Sequence, residues 1–187
     1  MARDSQRSKV YAAERAAFPQ RNENLTTAEA QAIIDKWSSS AYLRKRYPRA
    51  AYPLEVRDGR GRRNAAYLGH YSPSENGYLS HGRYAIAIPK WGRSKWVLAH
   101  EFAHHLVGMR DGAWHDWKFV EAYLYVVRVF LGKGTEETLK AEMKARRVKW
   151  RKPVKRQMTD EQRQAARERM LAMHATGALS KKNGPDA

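Results

Sequence analysis

The sequence predicts an α+β fold: a small mixed sheet packed on a buried helix, with additional helices at both termini. Three observations lead there. Apolar residues recur at three- and four-residue spacing before residue 40 and again after residue 94. Between these stretches lie short β-rich runs punctuated by Gly, Pro and Asn, of which Arg83–Ile88 (RYAIAI) is the clearest. The segment Ser94–Met109 is apolar on nearly every side, the pattern of a helix that contacts no solvent.

Taken in order, residues 4–18 form a first helix. Asp4 or Ser5 caps it, Pro19 follows its end, and Val10, Ala13, Ala17, Tyr11 and Phe18 are its inward candidates. After the polar linker Gln20–Asn24, Thr26 and Glu29 make a capping-box pattern. The helix behind it carries Ala30, Ile33, Ile34 and Trp37. Ser38–Ser40 loosens the chain, and a short basic segment, Leu43–Tyr47, stops at Pro48. Leu54–Arg57 and Asn64–Leu68 read as a hairpin about the turn Asp58–Gly61. The loop Ser72–Gly77 leads to RYAIAI, which Pro89 ends. That strand is expected at the rim of the cleft, where an exposed edge would pair with an extended peptide and so position a scissile bond by strand addition.

Gly108 and Asp111-Gly112 break the buried helix. A second strong helix, Trp114–Leu131, ends at Gly132. Thr135–Trp150 and Thr159–His174 are charged helices, and the last residues are a frayed tail. The expected organisation is a domain over residues 1–134, with N-terminal helices in 4–47, sheet in 52–90 and apolar helices in 94–131. A basic helical extension covers 135–187.

Composition narrows the function. With 187 residues, 42% of them hydrophobic, the chain can bury an ordinary core. Thirty-six Lys and Arg against 19 Asp and Glu leave a net charge of +17, which favours polyanionic partners. The absence of Cys excludes a disulfide framework, a thiol nucleophile and a thiolate zinc site. The charged N-terminus has no apolar signal core, and no run reaches the roughly 18 apolar residues of a membrane span. A cytoplasmic protein without membrane association is expected.

The chemistry concentrates at His100-Glu101-Phe102-Ala103-His104, an HExxH motif. On a helix, residues four apart return to one face one turn on, so both imidazoles can reach one metal ion. Glu101, adjacent but rotated, can take a proton from a metal-activated water without binding the metal. Chance gives roughly 0.016 such matches in a chain of this composition, and the motif lies on a buried helix after a strand, where this chemistry requires it. The expected cofactor is one Zn2+ per chain.

A catalytic zinc takes three protein ligands and keeps one position open. Val107 and Arg110 stand where a metzincin would need Gly and His. His115 is the leading third ligand, because the Gly breakers let the chain fold back and place it on the face shared with Phe119, Ala122 and Val126. Weaker candidates remain: Glu121 on a polar stripe, Asp111 and Asp116 as caps or acceptors, and His105, turned about 100° from His104.

HEFAH followed by His115-Asp116-Trp117-Lys118-Phe119 resembles the SprT-like zincin metallopeptidases, in which a later His-Gly-x-x-aromatic segment supplies the third ligand; Asp116 stands where that family has Gly. The resemblance implies His100, His104 and His115 as ligands and Glu101 as base. RDSQRSKVYAAE at the start of the chain, together with HEFAHHL, resembles a family of small HExxH metallohydrolases of actinobacteria and their phages, over most of residues 3–131. It implies a metallohydrolase and no particular substrate.

The expected function is thus zinc-dependent hydrolysis, foremost of a peptide or protein substrate. The alternatives are a hydrolase of another substrate and a non-catalytic nucleic-acid-binding protein with structural zinc. Nucleic acid enters through the segment 139–157, nine Lys or Arg against one Glu, with Trp150 among them. Smaller basic patches lie at Arg57, Arg60, Arg62 and Arg63 and at Arg44, Lys45, Arg46 and Arg49. His70, His81, Tyr123 and Tyr125 are unassigned polar candidates for the cleft, and Trp96, Trp114 and Trp117 for its walls.

Overall fold

A computed structural model describes residues 4, 6–19, 23–62, 64–71, 83–108, 114–152 and 159–175. Three helices come first: α1 (Arg7–Ala17), α2 (Thr27–Ser38) and α3 (Ala41–Arg46). Three strands follow, β1 (Leu54–Asp58), β2 (Ala66–Tyr71) and β3 (Arg83–Ile88), and then α4 (Lys95–Val107), α5 (Trp117–Val126), α6 (Lys133–Ala145) and α7 (Asp160–Ala175). The architecture is α+β with a three-stranded mixed sheet. Among the described residues no helix is long and apolar enough to cross a membrane.

Local chemistry sets several boundaries where the sequence places them. The Thr26 hydroxyl accepts from the Glu29 N–H, and the Glu29 carboxylate accepts from the Thr26 N–H, a complete capping box at the start of α2. RYAIAI is β3, and Pro89 ends it. α4 ends at Gly108, whose φ of +72° is one that residues with a Cβ rarely adopt.

Strand order is where pattern and structure part. β3 is the central strand, parallel to β1 and antiparallel to β2, in the order β1-β3-β2. The expected hairpin between residues 54–57 and 64–68 does not form. Gly59 shows why the chain turns away: its N–H donates to the Ile88 carbonyl, and a Cβ there would sit 2.6 Å from the Pro89 nitrogen. Backbone packs directly on backbone, which directs β1 to β3. RYAIAI therefore has no free edge, and β2 is an outer strand beside α4.

The core joins the sheet to α4, α5 and the N-terminal helices. Phe102, Phe119, Tyr123, Leu98, Ile34 and Ile86 are among its fully buried side chains. Each such aliphatic or aromatic residue contributes about 1.5–3 kcal/mol relative to exposure. The core also reaches past residue 134. Leu139, Met143 and Val148 are buried in it, and α6 packs on α1. The chain divides at 152/153, later than composition suggests, because one stripe of α6 is apolar beneath a charged exterior. The second unit contains α7, exposed along nearly its whole length.

Candidate metal centre

α4 carries His100, Glu101 and His104, all buried. Its burial follows from its sequence: Val97, Leu98, Phe102, Ala103 and Leu106 surround these polar side chains with apolar ones. α5 begins two residues after His115, with Asp116 as its N-cap accepting from the N–H groups of Lys118 and Phe119. This cap fixes the turn that aims His115 back at α4. The Phe119 ring then packs 4.2 Å from His104 and 4.8 Å from His115, centroid to centroid.

Three imidazoles converge. His100 Nε2 lies 3.2 Å from His104 Nε2 and 3.3 Å from His115 Nε2, and the three possible ligand atoms fall within 4.8 Å of one another. Nitrogens bound to one tetrahedral zinc at about 2.0–2.1 Å sit about 3.3–3.4 Å apart. The two close spacings match that value.

The opposite ring nitrogens say which atoms carry hydrogen. His100 Nδ1 bonds the Glu14 carboxylate at 2.5 Å, and His115 Nδ1 bonds the Asp4 carboxylate at 2.6 Å. An ionised carboxylate only accepts, so each of these Nδ1 atoms is an N–H, and in the neutral ring the Nε2 opposite presents a lone pair. Three ligand atoms within 4.8 Å of one another form a set that one cation could bridge. Imidazole with its far N–H on a carboxylate is also the arrangement that orients metal-binding histidines.

Electrostatics follow from burial and these neighbours. Burial alone would lower the His100 pKa, but the charge and hydrogen bond of Glu14 outweigh it and the pKa is raised. Burial lowers His104 well below the usual value, with His100 and His115 acting in the same direction. Burial and then His100 also lower His115, against the pull of Asp4. His104 and His115 are thus neutral and ligand-ready. Burial raises the Glu101 carboxyl, opposed by His100 and by the Tyr67 N–H, which donates to Glu101 Oε2 at 2.6 Å. A carboxylate raised in this way is a better proton acceptor.

The other candidates separate. Glu121 pairs with Arg46 at 2.7 Å on the surface, away from the three histidines. Asp116 serves as a cap. His105 is buried on another side of α4, its Nδ1 3.4 Å from the Tyr67 hydroxyl, and burial pushes its pKa down to about 4. Asp111 and His81 lie outside the described residues, as does the side chain of His70. Tyr123 is fully buried, its ring 5.5 Å from His100, whereas Tyr125 lies edge-on to Tyr47 beneath Arg46. Trp96 and Trp114 line the cleft; Trp117 is half-buried, with the Lys118 ammonium 5.7 Å from its ring.

Sequence reasoning missed the supporting residues. Glu14 was a signal in plain view: it follows Ala13 on the apolar stripe of α1, where an unpaired carboxylate is costly. Asp4 is the His115 partner and not simply a cap. Tyr11 stacks on His100 with centroids 5.4 Å apart. Gln6 donates to the His115 carbonyl and accepts from the Lys149 N–H. Arg49 belongs to the framework instead of a polyanion patch: it donates to the His105 carbonyl at 2.8 Å and to the Tyr67 hydroxyl at 3.2 Å, under the Tyr84 ring.

Two adjoining clefts, about 480 and 340 Å3, open over the histidines and share Arg7, Tyr11, Ala65 and Glu101 in their walls. No family model matches this chain, and no curated protein and no solved structure matches it either.

Proposed function

We propose that the protein is a zinc-dependent metallohydrolase of zincin-like fold, a metallopeptidase, with His100, His104 and His115 as metal ligands and Glu101 as general base. The observation that carries this reading is the convergence of three imidazoles, with His100 Nε2 at zinc-like spacing from the other two and two of the rings backed by carboxylates. Zinc held there supplies a Lewis acid and an activated water.

The chain's own residues do the rest. Glu14 and Asp4 keep the ligand tautomers. Glu101 accepts the proton of the attacking water and returns it to the leaving amine. The Tyr67 N–H steadies Glu101 on the cleft side. Ala65 and Ala66, small residues at the start of β2, leave room for an extended chain beside this outer strand. Strand addition is therefore assigned to β2 instead of RYAIAI.

A non-catalytic nucleic-acid-binding protein with structural zinc is the rival that the basic charge favours. Closed structural sites are usually built with thiolates. This site uses three imidazoles, opens on a cleft and has a carboxylate at its mouth.

Elemental analysis and a peptide-hydrolysis screen test the proposal together. About one zinc per chain is expected, lost in His100→Ala and His104→Ala. Glu101→Gln keeps zinc and fold while hydrolysis falls by about 10²-fold or more. No metal after zinc reconstitution refutes the reading.

A further inference from the structure

Arg7, Tyr11 and Arg15 stand four residues apart on α1 and so form one stripe. Val10, Ala13 and Glu14 are its buried residues, and both guanidiniums are exposed. The stripe lines the larger cleft, in which His100 and Glu101 also lie. The same cleft is lined by Trp91, 47% exposed, and by Trp96, which stacks on Phe18 at the end of α1 with centroids 5.5 Å apart and whose indole N–H is buried without an acceptor among the described residues.

The treatment of other arginines makes this pair stand out. Arg46 is matched by Glu121, Arg93 by Asp58, and Arg49 by a carbonyl and a phenol. The carboxylates closest to the metal centre are already engaged, Glu14 by His100 and Asp4 by His115. Arg7 lies 5.6 Å from the Tyr11 ring centroid and hydrogen-bonds the Tyr11 side chain. A guanidinium carries five N–H donors, so one bond to a phenol leaves others for a carboxylate.

We infer that this cleft is a subsite for acidic peptide segments: Arg7 and Arg15 take the carboxylates, and Tyr11, Trp91 and Trp96 take a neighbouring aromatic side chain. The inference rests on the peptidase reading and names its substrate class. Phosphodiesters offer the same charge, yet their hydrolysis commonly uses two metal ions about 3.5–4 Å apart. The described residues hold one ligand cluster, with the Glu101 carboxylate beside it.

The test uses full-length Glu101→Gln protein, in which turnover is slowed by about 10²-fold or more, and isothermal titration at low salt. Three N-acetylated peptides serve as probes: Ac-Ala-Phe-Glu-Glu-Ala-amide, its Gln-Gln counterpart, and Ac-Ala-Phe-Gln-Gln-Ala with a free C-terminus. The Glu-Glu peptide is expected to bind about tenfold more tightly than the Gln-Gln peptide. Arg7→Glu/Arg15→Glu abolishes that preference, and the milder Arg7→Gln/Arg15→Gln reduces it. The third peptide distinguishes a side-chain carboxylate from a terminal one as the preferred partner, either of which satisfies the subsite.

Equal binding of the charged and neutral peptides overturns the inference. So does a preference that survives charge reversal, or a hexathymidylate that displaces the Glu-Glu peptide in an arginine-dependent way. Zinc content of the same samples reads the metal centre independently. Zinc retained with no acidic preference rejects the subsite alone, and acidic preference without zinc rejects the metallohydrolase alone.

Discussion

Glu14→Gln isolates the charge behind His100. The amide oxygen of Gln can still accept from His100 Nδ1, so the ring keeps its orientation and only the negative charge is lost. Loss of such a supporting partner typically weakens metal binding by about 10–100-fold. That range corresponds to about 1.4–2.7 kcal/mol. The upper part applies here, because the Glu14 and His100 side chains are each only 3% exposed and solvent screens their interaction little. Asp4 is 17% exposed, so Asp4→Asn should cost less, below about tenfold. Zinc affinity is measured at pH 8 by competition with a chromophoric chelator, with thermal melts of the metal-free proteins as a control on folding. Wild-type affinity in a folded Glu14→Gln protein would refute the claim that this carboxylate supports the ligand.

Other outcomes follow from the same geometry. His115→Ala should weaken zinc binding far more than Glu121→Ala, since Glu121 is committed to Arg46 at the surface; equal affinities place the third ligand elsewhere. Burial pushes the Tyr67 phenol up to about 12, so the folded protein holds that proton after an unfolded chain has released it near pH 10. This contribution is complete below pH 10 and is lost as pH rises toward 12. Urea unfolding at pH 9, 10 and 11 should show the decline, and Tyr67→Phe should make it shallower. Deleting residues 153–187 should leave zinc content and melting temperature unchanged, whereas deleting 139–187 removes Leu139, Met143 and Val148 from the core, at about 1.5–3 kcal/mol each, and should prevent stable folding. Circular dichroism of the two truncations distinguishes them. If the basic segment 139–157 neutralises five to eight phosphates, log affinity for duplex DNA should fall with log salt at a slope of roughly −4.5 to −7; filter binding at two salt concentrations that finds no association removes nucleic acid as a partner.

What could be read from the sequence was local. His100 and His104 share a face because four residues make about one turn, and the Thr26–Glu29 box closes within a single turn. RYAIAI announces itself by composition. Strand order was not readable, because β1 pairs with β3 across a gap of some 30 residues and a pattern of alternation does not name its partner. The α6 boundary was obscured by charge: Lys140, Lys144 and Arg146 dominate the composition, while Leu139 and Met143 at four-residue spacing give the true core stripe. Asp4 and Glu14 are 111 and 86 residues from the histidines they support, beyond any spacing rule. An acidic residue on an apolar stripe was the available clue to Glu14.

The clasp made by Gln6 ties the start of the chain to two distant segments. Its side chain joins the His115 carbonyl to the Lys149 N–H, and α1, which carries Glu14, packs on α6. The carboxylates behind His100 and His115 therefore belong to one N-terminal segment, Asp4 just before α1 and Glu14 within it. On the proposed reading of the site, a local opening of that eleven-residue helix, short of global unfolding, would withdraw the support of two ligands at once.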